Sequence, residues 1–127
     1  MLSTTRMTTI LPVKDMERAR NFYENSLGLS AQGMKDDGGC LISNGDGAAI
    51  ELIVRPEADT SDHTSVSFEV PDLDSEIKAL EGRGVTFEDY DLPGLKTEGH
   101  VATSPHEKCA WFTDTEGNIL CLHQNLG

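Results

Sequence analysis

The chain states one pattern twice. Residues 8–30 run from Thr8 through Leu11, Pro12, Val13, Lys14 and Asp15 to Leu27, Gly28 and Leu29. Residues 65–87 answer with Ser65, Phe68, Glu69, Val70, Pro71 and Asp72, then Gly82, Gly84 and Val85. Leu11 and Phe68, Val13 and Val70, and Asp15 and Asp72 superpose at one constant offset, and in each copy a strand-like run passes into an Asp placed to cap a helix. Such a repeat constrains architecture strongly, because each copy is a supersecondary unit too small to bury its apolar face well alone. The length suits one domain, expected over residues 1–127, with module one at 1–56, a polar linker at 57–63 and module two at 64–127.

Each module reads as strand, helix and three strands. In the first, Met7 to Val13 alternates, and Met16, Ala19, Phe22, Tyr23 and Leu27 follow helical spacing before Gly28 ends the helix. Strands are expected near Leu29 to Lys35, Cys40 to Ser43 and Ala48 to Val54. The turns between them are Asp36 to Gly39 and Asn44 to Gly47. In the second, a strand near Thr64 to Val70 precedes a helix with Leu73, Ile77 and Leu80 inward, and strands follow near Val85 to Tyr90, Cys109 to Thr113 and Ile119 to Gln124. Residues 91–107 read as a long loop, whose Gly94 and Gly99 would let it move over a ligand.

Ten Lys and Arg against 22 Asp and Glu give a net charge of −12. Such a surface repels phosphate backbones and anionic headgroups, so neither nucleic acid nor a membrane is expected as a partner. The N-terminal residues show no signal-peptide pattern and no stretch approaches a membrane span, which places the protein in the cytoplasm. Cys40, Cys109 and Cys121, an odd set without Cys-x-x-Cys spacing, fit a reducing compartment.

Three segments together carry a family resemblance. They are Leu11 to Asp15 leading to Phe22, Tyr23 and Leu27 to Leu29; Phe68 to Asp74; and Phe112 to Asn118. In this order they resemble the vicinal oxygen chelate superfamily, which includes glyoxalase I, extradiol dioxygenases, fosfomycin-resistance transferases and bleomycin-resistance proteins. The resemblance implies an α+β fold of two tandem βαβββ modules, with curled mixed sheets around a cleft, helices outside, and frequent assembly as a homodimer.

In metal-using members, His and Glu on the first and last strands of each module hold a divalent ion that chelates vicinal substrate oxygens. The matching positions here are Thr8, Glu51, Ser65 and Cys121, of which only Glu51 is a usual ligand. Hydroxyls are poor ligands for such a metal beside imidazole or carboxylate, so no cofactor is expected. A shifted divalent-metal set of Glu51, His63, Cys121 and His123 is the chemically suitable alternative.

Strand parity puts Arg6, Thr8 and Ile10; Ala49, Glu51 and Ile53; His63, Ser65 and Ser67; and Ile119, Cys121 and His123 on cleft faces. Arg6 could pair with Glu51 where a metal would stand, or Glu51 could be solvated. Cys121 and His123 lie two apart on one strand, which points their reactive atoms in parallel and disfavours a thiolate and base pair. Parity with Cys109 and Thr113 makes Trp111 the candidate cleft aromatic, where its ring could stack on a planar ligand, with core packing as the alternative.

The expected function is sequestration of a small organic ligand in the cleft between modules, in the manner of bleomycin-resistance proteins, without metal. The ligand-binding candidates are Arg6, Thr8, Glu51, Ser65, Trp111 and Cys121. The competing reading is a glyoxalase-type lyase or dioxygenase with nonstandard ligands.

Overall fold

The computed structural model describes residues 1–45, 48–57 and 60–127. The chain divides into two compact units, Met1–Thr60 and Ser61–Gly127. The expected turn at Asn44 to Gly47 and the expected linker at 57–63 lie partly outside the described residues.

Unit one opens with a short 3-10 turn at Leu2–Thr4, then runs β1 (Thr8–Val13), α1 (Met16–Asn21), β2 (Ser30–Met34), β3 (Cys40–Ser43) and β4 (Ala49–Val54). Its sheet has the order β1-β4-β3-β2, with β1 parallel to β4 and the other pairs antiparallel. Asp15 caps α1 by accepting from the Arg18 backbone N–H at 3.1 Å, satisfying one of the donors a helix start leaves open. The helix widens into a π turn at Phe22–Ser26, which carries the buried Phe22 and Tyr23, rather than keeping helical geometry to Leu27. Their rings meet edge to face at 5.5 Å. Gly28, at φ 76°, ends the segment in the left-handed region that favours glycine. Leu11, Val13, Cys40, Ile42, Ile50 and Leu52 join Ala19, Phe22 and Tyr23 in the buried core. Full burial of each large aliphatic side chain is worth roughly 1.5–3 kcal/mol.

Unit two repeats the plan with β5 (Thr64–Glu69), α2 (Leu73–Glu81), a small hairpin of β6 (Asp91–Leu92) and β7 (Leu95–Lys96), then β8 (Ala102–Thr103), β9 (Glu107–Thr113) and β10 (Ile119–Asn125). The four-stranded sheet has the order β5-β10-β9-β8, with β5 parallel to β10. Helix α2 packs on β9 and β10, and Leu73, Ile77 and Leu80 are buried with Ala110, Phe112, Leu120 and Leu122. Asp72 caps α2 through Ser75. The β9 to β10 turn is built around buried Asp114. Its Oδ1 accepts from the backbone N–H groups of Glu116 and Asn118, each at 2.8 Å, and its Oδ2 accepts from the Asn118 side chain at 2.8 Å.

The stretch Val85 to Tyr90 is not the strand its apolar residues suggest. Val85 and Phe87 are buried, but pairing is limited to an isolated bridge between Phe87 and Phe112, with the Glu88 N–H donating to the Trp111 carbonyl at 2.8 Å. The outer strand of the sheet is β8, from within the segment expected as loop. Alternation at 85–90 reports two anchored side chains; beyond them the Tyr90 N–H donates to the Thr97 hydroxyl at 2.8 Å and the Tyr90 carbonyl accepts from the Thr97 N–H at 2.9 Å, so the backbone pairs with that segment instead. Among the described residues, no helix is long and apolar enough to cross a membrane.

Candidate functional site

The face of the second sheet opposite α2 gathers most of the chemistry in unit two. Register places Trp111 directly opposite Cys121, Cys121 opposite Ser67, Cys109 opposite His123, and His123 opposite Glu69. These residues therefore share one face of three adjacent strands. Phe112 lies on the other face, fully buried, while Trp111 is half-buried.

A bulge in β5 adds one more residue to this face. Ile119 pairs with Thr64 and Leu120 with Val66, so Ser65 has no partner in β10 and the parity of the preceding strand is shifted. Thr64 Oγ1 accepts the Trp111 Nε1–H at 3.1 Å. The indole is thereby fixed and its sole polar hydrogen is used. Tyr90 packs edge to face on the same ring at 5.5 Å. A hollow of about 250 Å³ opens beside Trp111 and Cys109, walled by Gly94, Leu95 and Lys96 on one side and Ala102 to Ser104 and Glu107 on the other.

Next to Cys121 runs a polar chain. Ser67 Oγ and His123 Nδ1 are 2.6 Å apart, His123 Nε2 lies 3.7 Å from Glu69 Oε1, and that oxygen accepts from Asn125 Nδ2 at 2.9 Å. Burial pushes the Cys109 thiol up to about 12 and raises Cys121 as well. Both stay protonated at neutral pH, so neither is an activated nucleophile.

In unit one, Glu51 is buried on β4 beside its register partners Ile10 and Leu41. The cation that pairs with it is Lys35, not Arg6. Lys35 Nζ donates to Glu51 Oε1 at 2.5 Å, and that hydrogen bond, followed by the charge of Glu51, raises the lysine. Arg6 is exposed ahead of β1 and enters none of the described ion pairs. Lys35 follows β2, two strands away from Glu51, and its long side chain reaches across β3, which strand parity does not reveal. The reach depends on Gly39, where an added Cβ would come within 3.1 Å of the Glu51 carboxylate. Thr8 is exposed at the start of β1, opposite Ala49.

The expected metal positions do not fit a metal. The Glu51 carboxylate is engaged by Lys35, Cys121 is a protonated thiol, and Thr8 and Ser65 offer only hydroxyls. Of the shifted set, His63 is exposed before β5 with Nδ1 at 3.1 Å from the Thr64 carbonyl, while His123 faces Ser67 and Glu69. Among the described residues, no three His, Cys, Asp or Glu side chains converge as a metal site.

A larger hollow of about 440 Å³ lies beside α1 in unit one, between Met16, Arg20, Asn25 and Met34. Arg20 and Glu24 in its wall pair with each other at 3.1 Å. Beyond the residues expected to bind, the structure adds Thr64, Ser67, Tyr90 and Glu69 around Trp111 and Cys121. Ser67 was legible from parity; the roles of Thr64 and Tyr90 depend on the bulge and on the irregular 85–90 segment.

The profile of the Glyoxalase/Bleomycin resistance protein/Dioxygenase superfamily matches residues 6–122. The chain belongs to this superfamily. Its fold is similar to that of TnmS3, an antibiotic binding protein from Streptomyces sp. CB03234, at TM-score 0.77 and 22% identity over 98% of both chains. It is also similar to UcmS2, at TM-score 0.75 and 18% identity over 96% of this chain and 98% of the other. A third similar structure is a point mutant of the fosfomycin resistance protein FosX from Listeria monocytogenes, complexed with Mn(II), at TM-score 0.67 and 15% identity over 97% of this chain and 90% of the other. No curated protein matches the sequence.

Proposed function

We propose that this protein binds a small planar organic molecule and holds it without reacting it, on the face of the second sheet that carries Trp111. The observation behind this reading is the state of that indole. Its N–H is consumed by Thr64 and its ring meets Tyr90 in a T-shaped contact, so the indole is held in place beside the hollow for a planar ligand to pack on. Protonated thiols and the absence of a converging metal set among the described residues fit binding better than a glyoxalase-type lyase or dioxygenase. The description of TnmS3 as an antibiotic binding protein supports a sequestering role.

We extend the reading to a homodimer, supported by Met7, Ile10 and Met34, which are 87%, 58% and 50% exposed in unit one. Sedimentation at the mass of one chain, 13.8 kDa, across micromolar concentrations would count against it. Three free thiols suit a cytoplasmic setting.

A thermal-shift screen of planar heterocycles tests the main reading, since a ligand that binds the folded state raises its melting temperature with saturation. Hits should appear, and Trp111→Ala should weaken them by about tenfold or more, the loss of roughly 1.4 kcal/mol of ring contact. Hits indifferent to that substitution would move the site elsewhere.

A further inference from the structure

We infer that Ser67 and Glu69 form an acceptor subsite for an ammonium or amino group on the edge of the bound ring system, with His123 as the residue that sets its polarity. The inference rests on the proposed binding at Trp111 and adds the polar half of that site.

The argument starts from the partners of His123. Its Nε2 faces the Glu69 carboxylate at 3.7 Å, where a lone pair would meet negative charge, which assigns the tautomer with the proton on Nε2. Nδ1 is then an acceptor and takes the Ser67 hydroxyl hydrogen across 2.6 Å. With that hydrogen committed and the adjacent Cys121 Sγ donating to the Leu122 carbonyl, Ser67 Oγ keeps its lone pairs for a donor. Glu69, anchored at Oε1 by Asn125 and otherwise open, adds an anionic acceptor two residues further along the same strand. Its side chain is 67% exposed, which leaves it accessible to a ligand.

The neighbouring aromatic offers no competing donor, because the Trp111 N–H is taken by Thr64. Trp111 and Ser67 are separated by the single strand β10, so about 10 Å divides their backbones, a span that a three-ring aromatic with one polar substituent bridges. The protein's net charge of −12 favours a cationic group at this edge. Lys96 and Glu107, both lining the hollow, supply one charge of each sign there.

The test is calorimetric titration with three tricyclic probes of one shape: 9-aminoacridine, a cation at neutral pH; acridone, which is neutral; and acridine-9-carboxylate, an anion. Wild-type protein should bind the aminoacridine about tenfold or more tighter than acridone, the scale of one charge-assisted hydrogen bond, and the carboxylate least. Ser67→Ala and Glu69→Gln should each remove most of that preference.

For the positioning role, His123→Phe frees the Ser67 hydroxyl to become a donor and should abolish the preference. His123→Gln, whose amide oxygen can accept the same hydrogen, should partly restore it. Circular-dichroism melts confirm that each variant is folded. Equal affinity for aminoacridine and acridone, both lost in Trp111→Ala, would overturn the subsite and leave the planar-ligand reading standing. A preference for the carboxylate would overturn the subsite in favour of Lys96. Binding of none of the three, or binding unaffected by Trp111→Ala, would overturn both.

Discussion

The two sheets place different chemistry at one corresponding position. In unit one, Glu51 on β4 lies between Ile10 of β1 and Leu41 of β3; in unit two, Cys121 on β10 lies between Ser67 of β5 and Trp111 of β9. The same strand order and the same capping Asp precede both. Yet the first face is closed by an internal ion pair between Glu51 and Lys35, whereas the second holds an aromatic ring, two protonated thiols and a chain of hydrogen bonds beside a hollow. A repeated frame thus fixes where side chains stand without fixing what they do. Function must be read from the residues at each face.

The sharpest way to break this comparison uses two neighbours on β9. Phe112→Ala removes a fully buried ring that packs on Phe87 at 5.3 Å, and should cost about 3–5 kcal/mol in urea unfolding followed by circular dichroism. Trp111→Ala, one residue away on the half-open face, should cost clearly less stability but weaken ligand binding by about tenfold or more. If Trp111→Ala proves as destabilising as Phe112→Ala, the indole is a core residue and the assignment of the second face to binding fails.

Next in size is the turn that joins β9 and β10. Asp114→Ala removes the acceptor of two buried backbone N–H groups and of the Asn118 side-chain amide, at about 1–3 kcal/mol per lost hydrogen bond before relaxation or water entry. Asp114→Asn retains one acceptor oxygen and should fall between. A loss no larger than that of an ordinary surface substitution, measured by denaturant midpoint, would show that water replaces the carboxylate.

For the first face, Lys35→Met should lower the melting temperature by leaving the buried Glu51 carboxylate without its cation, and Lys35→Met with Glu51→Leu should recover most of the loss. Non-recovery in the double variant would mean that the lysine contributes through something other than the pair.

The repeat, the capping Asp residues and strand parity were enough to read the first sheet and β5, β9 and β10 of the second, and to separate Trp111 from Phe112, but not to find β8 within the segment expected as loop. What parity could not supply were features that depend on three dimensions or on one irregular residue. Lys35 reaches Glu51 across an intervening strand; the bulge at Ser65 brings Thr64 to the indole; and Phe22 and Tyr23 are carried in a π turn that helical spacing alone does not predict. The acidic turn at Asp36 and Asp37, followed by two glycines, was the available sign that backbone approaches a side chain near Lys35. Of the candidate site, Trp111 and Cys121 share one face of the second sheet, whereas Arg6 has no part in the Glu51 pair.

The smallest expected effect is at the helix caps, where the two units should behave alike. Asp15→Ala should cost about 1 kcal/mol by removing the acceptor for the Arg18 N–H, and Asp72→Ala should cause a small fall in melting temperature at neutral pH. The Asp72 case carries its own check. Hydrogen bonds from Ser75, chiefly from its hydroxyl and then from its backbone, hold the Asp72 carboxyl below its ordinary value of 3.8. A carboxyl lowered in the folded state binds its proton less readily there than in the unfolded chain. Its contribution is therefore fully present above the ordinary value and is lost as pH falls through the lowered one. The difference in melting temperature between wild type and Asp72→Ala should shrink as pH is taken from neutrality to below about 4, while that between wild type and Asp72→Asn should start smaller, since the amide oxygen still accepts from Ser75. A gap that stays constant down to acid pH would mean that the charge of Asp72 plays no part in the cap, leaving its hydrogen-bond geometry as the whole of what the two modules share at this position.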